Sequence, residues 1–126
     1  MNDKRILLVE DDENVIKSVV FSLEKAGYVV ESTVSGRLGM DLALKNHPDL
    51  IISDLILPDI NGADMVAQIR QDVWGKTAKI VILTNIDEEQ IRFKLGPLNV
   101  QRYLVKVENT LKQITETIDE ILKPTS

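Results

Sequence analysis

The stretch Leu50-Ile51-Ile52-Ser53-Asp54 decides the fold of this chain of 126 residues. Its apolar residues are contiguous and rich in β-branched side chains, a pattern typical of a strand that is buried on both faces of a parallel sheet. The polar pair Ser53-Asp54 marks the end of that strand. Runs of the same kind lie at 6–9 and 80–83, and shorter, more mixed runs that are typical of edge strands lie at 28–30 and 103–105. The sequence therefore predicts five strands.

Segments with helical spacing separate these strands. Apolar stripes occupy 15–26, 38–43, 65–69 and 111–122, and residues 88–95 form a weaker candidate. Gly27, Pro48 and Pro124 stand where the first, second and last of these helices should end. Strict alternation of strand and helix predicts an α/β fold, with a parallel sheet, right-handed crossovers and helices on both faces.

Composition restricts the class of protein. A chain of this length forms one ordinary domain, and we expect a single domain over residues 1–126. The absence of cysteine excludes disulfides and thiolate chemistry. The net charge of −5 argues against direct binding of nucleic acid, which depends on Lys and Arg at phosphates. Because no apolar run approaches the ~18 residues of a membrane span, we expect a cytoplasmic protein that contacts no membrane.

Polar side chains follow the predicted strands where the strands end. Glu10 and Asp11 follow the first strand, Asp54 the third and Lys106 the fifth, and Thr84 closes the fourth. Ligands of open α/β sheets bind at this edge. Three carboxylates placed together repel one another unless a cation or proton is present. An oxygen-only site favours Mg²⁺, with Mn²⁺ as a substitute.

These side chains suit phosphoryl transfer, which depends mainly on positioning and charge neutralisation. A carboxylate can act as the nucleophile and form an acyl phosphate. Asp54, alone at the end of the central strand, is the candidate nucleophile. Thr84 and Lys106 would hold phosphoryl oxygens through a hydroxyl and an ammonium group. Asp12 is interpreted as the N-cap of the first helix and not as a metal ligand.

Over essentially its whole length the chain resembles the receiver domain of two-component response regulators. The matching pieces, in order, are ILLVEDDE at 6–13, PDLIISDLILPDING at 48–62, ILT at 82–84 and YLVK at 103–106. The resemblance implies a flavodoxin-like (βα)5 fold with strand order 2-1-3-4-5. It also implies a stand-alone receiver similar to chemotaxis regulators, and we expect no output domain.

The resemblance further implies the chemistry of the site. Asp54 would accept a phosphoryl group from a histidine kinase or a phosphotransfer protein. Mg²⁺ would be held by Glu10, Asp11, a carboxylate oxygen of Asp54 and the backbone carbonyl of Ile56. Such a domain takes part in its own phosphoryl transfer and dephosphorylation, but it signals and is not a classical enzyme.

The family's switch residues also have counterparts here. Thr84 and Lys106 would close on the phosphoryl group, and the ring of Tyr103 would swing inward. That population shift would alter the face formed by the fourth helix, fifth strand and fifth helix. The state would pass to a downstream protein that the sequence does not name. We expect a monomer, because Gln101-Arg102 replaces an acidic pair common in dimerising relatives.

Several positions depart from the family pattern. Val107 stands where proline usually follows the lysine; because a cis bond before a non-proline residue costs about 2.5–4 kcal/mol, we expect a trans bond and a displaced Lys106. Asn85 replaces a small residue, and we expect it to restrict closure of its loop. Ile56 and Ile86 are apolar at the two positions that control access of hydrolytic water in this family. We therefore expect slow hydrolysis of the phosphoryl group.

Two other functions stay open at this point. One is a pseudo-receiver, an interaction module that does not depend on phosphate, which Val107 and Asn85 would favour. The other is a Mg²⁺-dependent phosphohydrolase that uses the same carboxylates. Such an enzyme would need a general acid/base two residues after Asp54 and a substrate-binding cap. Ile56 and the short chain argue against it.

Overall fold

A computed structural model describes residues 3–123 of the chain. Five strands alternate with five helices in the predicted order. The strands are β1 (Arg5–Val9), β2 (Val29–Thr33), β3 (Leu50–Ser53), β4 (Ile80–Thr84) and β5 (Arg102–Val105). The helices are α1 (Glu13–Lys25), α2 (Gly36–Asn46), α3 (Gly62–Gln71), α4 (Glu88–Leu95) and α5 (Leu111–Leu122). Two short 3₁₀ turns lie at Gly75–Thr77 and Lys106–Glu108.

The strands form one parallel sheet in the order β2-β1-β3-β4-β5. This order confirms the predicted flavodoxin-like fold. The central strand β3 pairs on both sides, with Ile51 opposite Leu7 of β1 and Ile80 of β4. Every residue of β3 and β4 is buried, as the continuous apolar runs predicted.

Helices cover both faces of the sheet. On one face α1 and α5 pack against the strands through an apolar core that includes Val19, Leu23 and Ile118. On the other face α2, α3 and α4 pack through a second core that includes Ala43, Met65 and Ile91. Alternate residues of each strand enter the two cores, because successive strand side chains point to opposite faces. The fold is therefore doubly wound. Among residues 3–123, none of the helices has the length and apolar character that a membrane-spanning segment requires.

The local sequence fixes where each helix begins. A side-chain oxygen at each N-cap accepts a backbone N–H of the first turn and so satisfies an otherwise unpaired donor. The capping residues of the five helices are Asp12, Ser35, Asn61, Asp87 and Thr110. The predicted role of Asp12 is confirmed, since its Oδ1 accepts from the N–H groups of Asn14 (2.9 Å) and Val15 (3.3 Å).

Helix ends also follow the predicted breakers. Gly27 has a φ of 101°, a conformation that glycine adopts at no steric cost, and α1 ends just before it. The second strand begins at Val29, one residue after its predicted start, and extends to Thr33, three residues beyond its predicted end at 30. Tyr28 lies just before the strand, is buried, and donates its hydroxyl to Asp119 of α5. Pro124, predicted to close α5, lies outside the described residues.

Candidate functional site

The polar residues predicted to form a site lie at one edge of the sheet. Glu10 directly follows β1, Asp54 follows β3 and Lys106 follows β5, and Thr84 is the last residue of β4. All strands run parallel, so these ends meet at the same edge. β3 is the central strand of the five, so Asp54, directly after it, lies at the middle of this edge. The fold therefore delivers residues far apart in sequence to one place.

Three carboxylates come together at this edge. Glu10, Asp11 and Asp54 each offer an oxygen, and these oxygens lie within 4.8 Å of one another. Glu10 and Asp54 are 1% and 7% exposed, whereas Asp11 is open to solvent. Buried carboxylates require a compensating partner, since transfer of an unpaired charge out of water is very costly.

Lys106 supplies that partner. Its Nζ lies 2.8 Å from Asp54 Oδ2, to which it donates a hydrogen bond, and 2.6 Å from Glu10 Oε1. The contact with Glu10 is an ion pair only, because the geometry at Glu10 Oε1 does not allow a hydrogen bond. The expected trans bond before Val107 is confirmed, since residues 3–123 contain no cis peptide. Lys106 nevertheless reaches both carboxylates from this trans backbone, because its side chain is long and flexible; the expected displacement of its backbone stays a prediction.

The pKa values of Glu10 and Lys106 reflect this environment. Burial raises the pKa of Glu10, and its contacts with Lys106 and the Asp12 N–H only partly offset that effect. Burial alone would lower the pKa of Lys106, but its contacts with the Asp54 and Glu10 carboxylates outweigh burial and the pKa is raised. The lysine is therefore held as an ammonium ion beside the carboxylates.

The donor set fits a hard divalent cation. All the available ligand atoms are oxygens, the type that Mg²⁺ and Mn²⁺ prefer. One ammonium offsets one of three carboxylates, so two formal negative charges remain at the cluster. Exposed Asp11 leaves the cluster open on the solvent side, which suits an ion that retains several waters.

Backbone groups hold the carboxylates in place. The Ile56 N–H donates to Asp54 Oδ1 (3.1 Å), and the Asp12 N–H donates to Glu10 Oε2 (3.1 Å). Gly62 lets α3 begin directly against the end of β3, since a Cβ there would lie 2.4 Å from the Asp54 carbonyl oxygen. The Ile56 residue predicted to offer its carbonyl thus lies beside the cluster, and that ligand role stays a prediction.

The predicted switch residues lie on the adjoining strands. Thr84 is buried, 1% exposed, and its Oγ1 accepts from the Ile86 N–H (3.5 Å). Tyr103 is half-buried on β5 and lines a groove that Arg92 and Leu95 of α4 also line. Movement of either residue after phosphorylation stays a prediction.

Sequence reasoning missed two sets of contacts around the site. The Asp59 carboxylate accepts from Ser35 Oγ (2.7 Å) and from the N–H groups of Gly36 (2.8 Å) and Arg37 (3.1 Å). It therefore joins the loop after β3 to the start of α2. The second contact links Asn85 to Val107, whose N–H donates to Asn85 Oδ1 (3.1 Å). No local pattern could have indicated either contact, because each joins separate segments of the chain.

Comparison with known families agrees with this geometry. Residues 6–119 match the family model of the response regulator receiver domain. The chain belongs to this family. The match covers the whole sheet except Arg5, the first residue of β1, and includes the three carboxylates of the cluster.

Curated relatives and solved structures support the same assignment. Response regulator ArlR of Staphylococcus haemolyticus is 39% identical over 115 residues, which covers 86% of this chain and 52% of ArlR. The crystal structure of a putative response regulator from Chloroflexus aurantiacus is 28% identical, with a TM-score of 0.88 and coverage of 98% of this chain and 100% of that one. The receiver chain thus spans about half the length of the curated relatives it matches.

A third comparison concerns a receiver domain with a metal ion. The receiver domain of sensor histidine kinase PA1611 from Pseudomonas aeruginosa has a magnesium ion coordinated in its active-site cleft. It is 23% identical, has a TM-score of 0.88 and covers 98% of this chain and 100% of its own. At 23% identity, this similarity shows only that the two proteins share a fold. Receiver domains act in two-component signalling, interact with histidine kinases or phosphotransfer proteins, and are generally not enzymes.

Proposed function

We propose that this receiver domain accepts a phosphoryl group on Asp54 from a histidine kinase or a phosphotransfer protein. The observation that carries the proposal is the contact between the Asp54 carboxylate and the Lys106 ammonium, 2.8 Å apart, beside two further carboxylates. A nucleophile, a fixed positive charge and a cation-binding cluster are the parts that phosphoryl transfer needs.

In the transfer step, a carboxylate oxygen of Asp54 forms a bond to phosphorus. The P–N bond to the donor imidazole breaks at the same time, and its electron pair returns to the imidazole nitrogen. Lys106 already contacts Asp54 Oδ2, so its ammonium lies where negative charge on the phosphoryl oxygens develops. Thr84 would donate its hydroxyl to another of these oxygens.

Glu10, Asp11, Asp54 and the Ile56 carbonyl would hold Mg²⁺, or Mn²⁺ in its place. The bound ion supplies charge neutralisation for the carboxylates and for the incoming phosphoryl oxygens. The compact oxygen cluster supports this assignment. Because Lys106 contacts Glu10 and Asp54, it lowers the mutual repulsion of the carboxylates before any ion arrives.

The phosphorylated state would pass to a downstream protein through the face formed by α4, β5 and α5. Tyr103 of β5 lines a groove on that face together with Arg92 and Leu95 of α4. We propose a cytoplasmic monomer that contacts no nucleic acid or membrane directly. Its organisation as a stand-alone domain over residues 1–126 stays a prediction.

Intact-mass spectrometry after incubation with acetyl phosphate and Mg²⁺ tests the proposal. We expect one phosphoryl adduct, which is lost when Asp54 is replaced by asparagine and when the metal is chelated. Asp64→Asn, which removes an exposed carboxylate of α3, is the matched control and should retain the adduct. Absence of an adduct with both acetyl phosphate and a cognate kinase would favour the phosphorylation-independent interaction module. Repeated release of phosphate from small phosphoesters would favour the phosphohydrolase.

A further inference from the structure

Two departures from the family pattern contact each other. Asn85 is the residue after Thr84, and Val107 is the residue after Lys106. The Val107 N–H donates to Asn85 Oδ1 at 3.1 Å. Proline has no N–H to donate, and a small apolar residue at 85 would have no side-chain acceptor. Each departure therefore supplies one half of a hydrogen bond that the usual residues could not form.

This bond lies next to the lysine of the site. The amide nitrogen of Val107 belongs to the peptide unit that begins at the Lys106 carbonyl carbon, so its orientation constrains the backbone from which the Lys106 side chain extends. Val107 is 80% exposed, so burial of its side chain does little to hold the turn. On the other side, Asn109 donates from Nδ2 to the Val105 carbonyl (2.9 Å). The 3₁₀ turn at Lys106–Glu108 is thus held from two directions.

The same bond joins the two loops that would contact the phosphoryl group. Asn85 lies in the loop from β4 to α4, directly after Thr84, and Val107 lies in the connection from β5 to α5. β4 and β5 are neighbours, with Thr84 opposite Val105. Because a side-chain acceptor on one loop binds a backbone donor on the other, this hydrogen bond fixes the position of the two loops relative to each other.

We propose that Asn85 is a positioning residue for Lys106, acting through the Val107 N–H, and that it does here what proline does elsewhere in the family. This inference rests on the proposed role of Asp54 as phosphoacceptor. It replaces the expectation that Asn85 obstructs its loop. The two ideas predict opposite results, because removal of an obstruction accelerates phosphorylation and removal of a positioning contact slows it.

Amide hydrogen exchange in the unphosphorylated protein tests the bond itself. We expect Asn85→Ala to accelerate exchange of the Val107 amide about tenfold, because Asn85 Oδ1 is its hydrogen-bond partner and the residue is exposed to solvent. Asn85→Asp keeps an acceptor oxygen and should retain the protection. Unchanged exchange in Asn85→Ala would overturn the proposal whether or not Asp54 accepts phosphate.

Phosphorylation rates with acetyl phosphate and Mg²⁺ test the role. A hydrogen bond of ordinary net strength corresponds to about a three- to tenfold change in rate, so we expect Asn85→Ala to slow adduct formation by that factor. Val107→Ala, which keeps the N–H, is the matched control and should react like the wild type. In a Lys106→Met background, Asn85→Ala should have no further effect, because the positioned group is gone.

Three results would overturn the proposal. They are faster phosphorylation of Asn85→Ala, equal slowing with and without Lys106, and a rate for Val107→Ala as low as that of Asn85→Ala. Failure of the wild type to form an adduct with both acetyl phosphate and a cognate kinase would instead refute the proposed function. The exchange experiment separates the two failures, because it needs no phosphoryl group.

Discussion

Lys106→Met removes the ammonium that contacts both buried carboxylates of the site. Methionine has a similar length and no charge, so the substitution tests charge more than volume. In the metal-free protein it leaves Glu10, 1% exposed, and Asp54, 7% exposed, without the 2.6 Å and 2.8 Å contacts. The two carboxylates then repel each other in a poorly solvated place.

Breaking a buried ion pair by removal of one partner typically costs about 3–5 kcal/mol. The Lys106 side chain is 14% exposed, so water offsets part of the loss. We therefore expect the free energy of unfolding to fall by about 2–3 kcal/mol at about pH 7.5, at or below the lower end of that range. For a domain of this size the melting temperature should fall by roughly 10 °C.

The deficit should depend on pH in a defined direction. The pKa of Glu10 is raised above its ordinary value of 4.5, so its ionisation costs stability at pH values above the folded pKa, and this cost disappears below 4.5. Without the lysine that cost grows, and the deficit of Lys106→Met should shrink as the pH falls toward 4.5. The pKa of Lys106 is raised above 10.5, so its stabilisation is complete below 10.5 and is lost as the pH rises through the folded value.

Urea unfolding in chelator, followed by circular dichroism, measures this deficit at about pH 7.5 and about pH 5. Lys112→Met, at an exposed position of α5, is the matched control and should change stability by less than ~0.5 kcal/mol. A Lys106→Met protein as stable as the control at the higher pH, or a deficit of the same size at both pH values, would contradict a stabilising charge on Lys106.

Three further predictions concern the surrounding structure. Arg70→Ala should lower the free energy of unfolding by about 2–3 kcal/mol in urea titrations, because the guanidinium donates to three loop carbonyls, two of them at 2.7 Å; an unchanged midpoint would contradict this. Asp59→Ala should destabilise at neutral pH. Because its hydrogen bonds lower the pKa of Asp59 from 3.8 to about 2, the difference from wild type should fade as the pH drops from 3.8 through about 2 in acid-unfolding curves; a difference that persists below this range would show that the ionised carboxylate does not account for the stabilisation. Ile56 and Ile86 predict slow loss of the phosphoryl group, and Ile56→Asn should accelerate the decay of isolated phosphoprotein, whereas equal decay rates would refute a role in excluding water.

Much of the fold could be predicted because its signals are local. The contiguous apolar runs of β1, β3 and β4 are those of strands buried on both faces, and strict alternation with helices leaves few topologies. The second strand was harder to place. Only two of its five residues are even partly buried, so Glu31 and Ser32 read as loop in the sequence although they pair with β1.

The residues that form the site could be predicted because the carboxyl ends of parallel strands lie at one edge of the sheet. That rule brings Glu10, Asp54 and Lys106 together without knowledge of side-chain conformation. It could not give the reach of Lys106, which depends on the turn after β5. The rule also could not pair Asn85 with Val107. These two residues are far apart in sequence, and only the pairing of β4 with β5 brings them together.

Chemical trapping of the acyl phosphate tests the central claim most directly. Borohydride reduces an aspartyl phosphate to homoserine, and trypsin then releases the peptide of residues 46–70, bounded by Lys45 and Arg70. After reaction with acetyl phosphate and Mg²⁺, tandem mass spectrometry should locate homoserine at Asp54 and leave the other aspartates of this peptide unchanged. Homoserine at another aspartate, or intact Asp54 in protein that carries the phosphoryl adduct, would contradict the assignment of Asp54 as the phosphoacceptor.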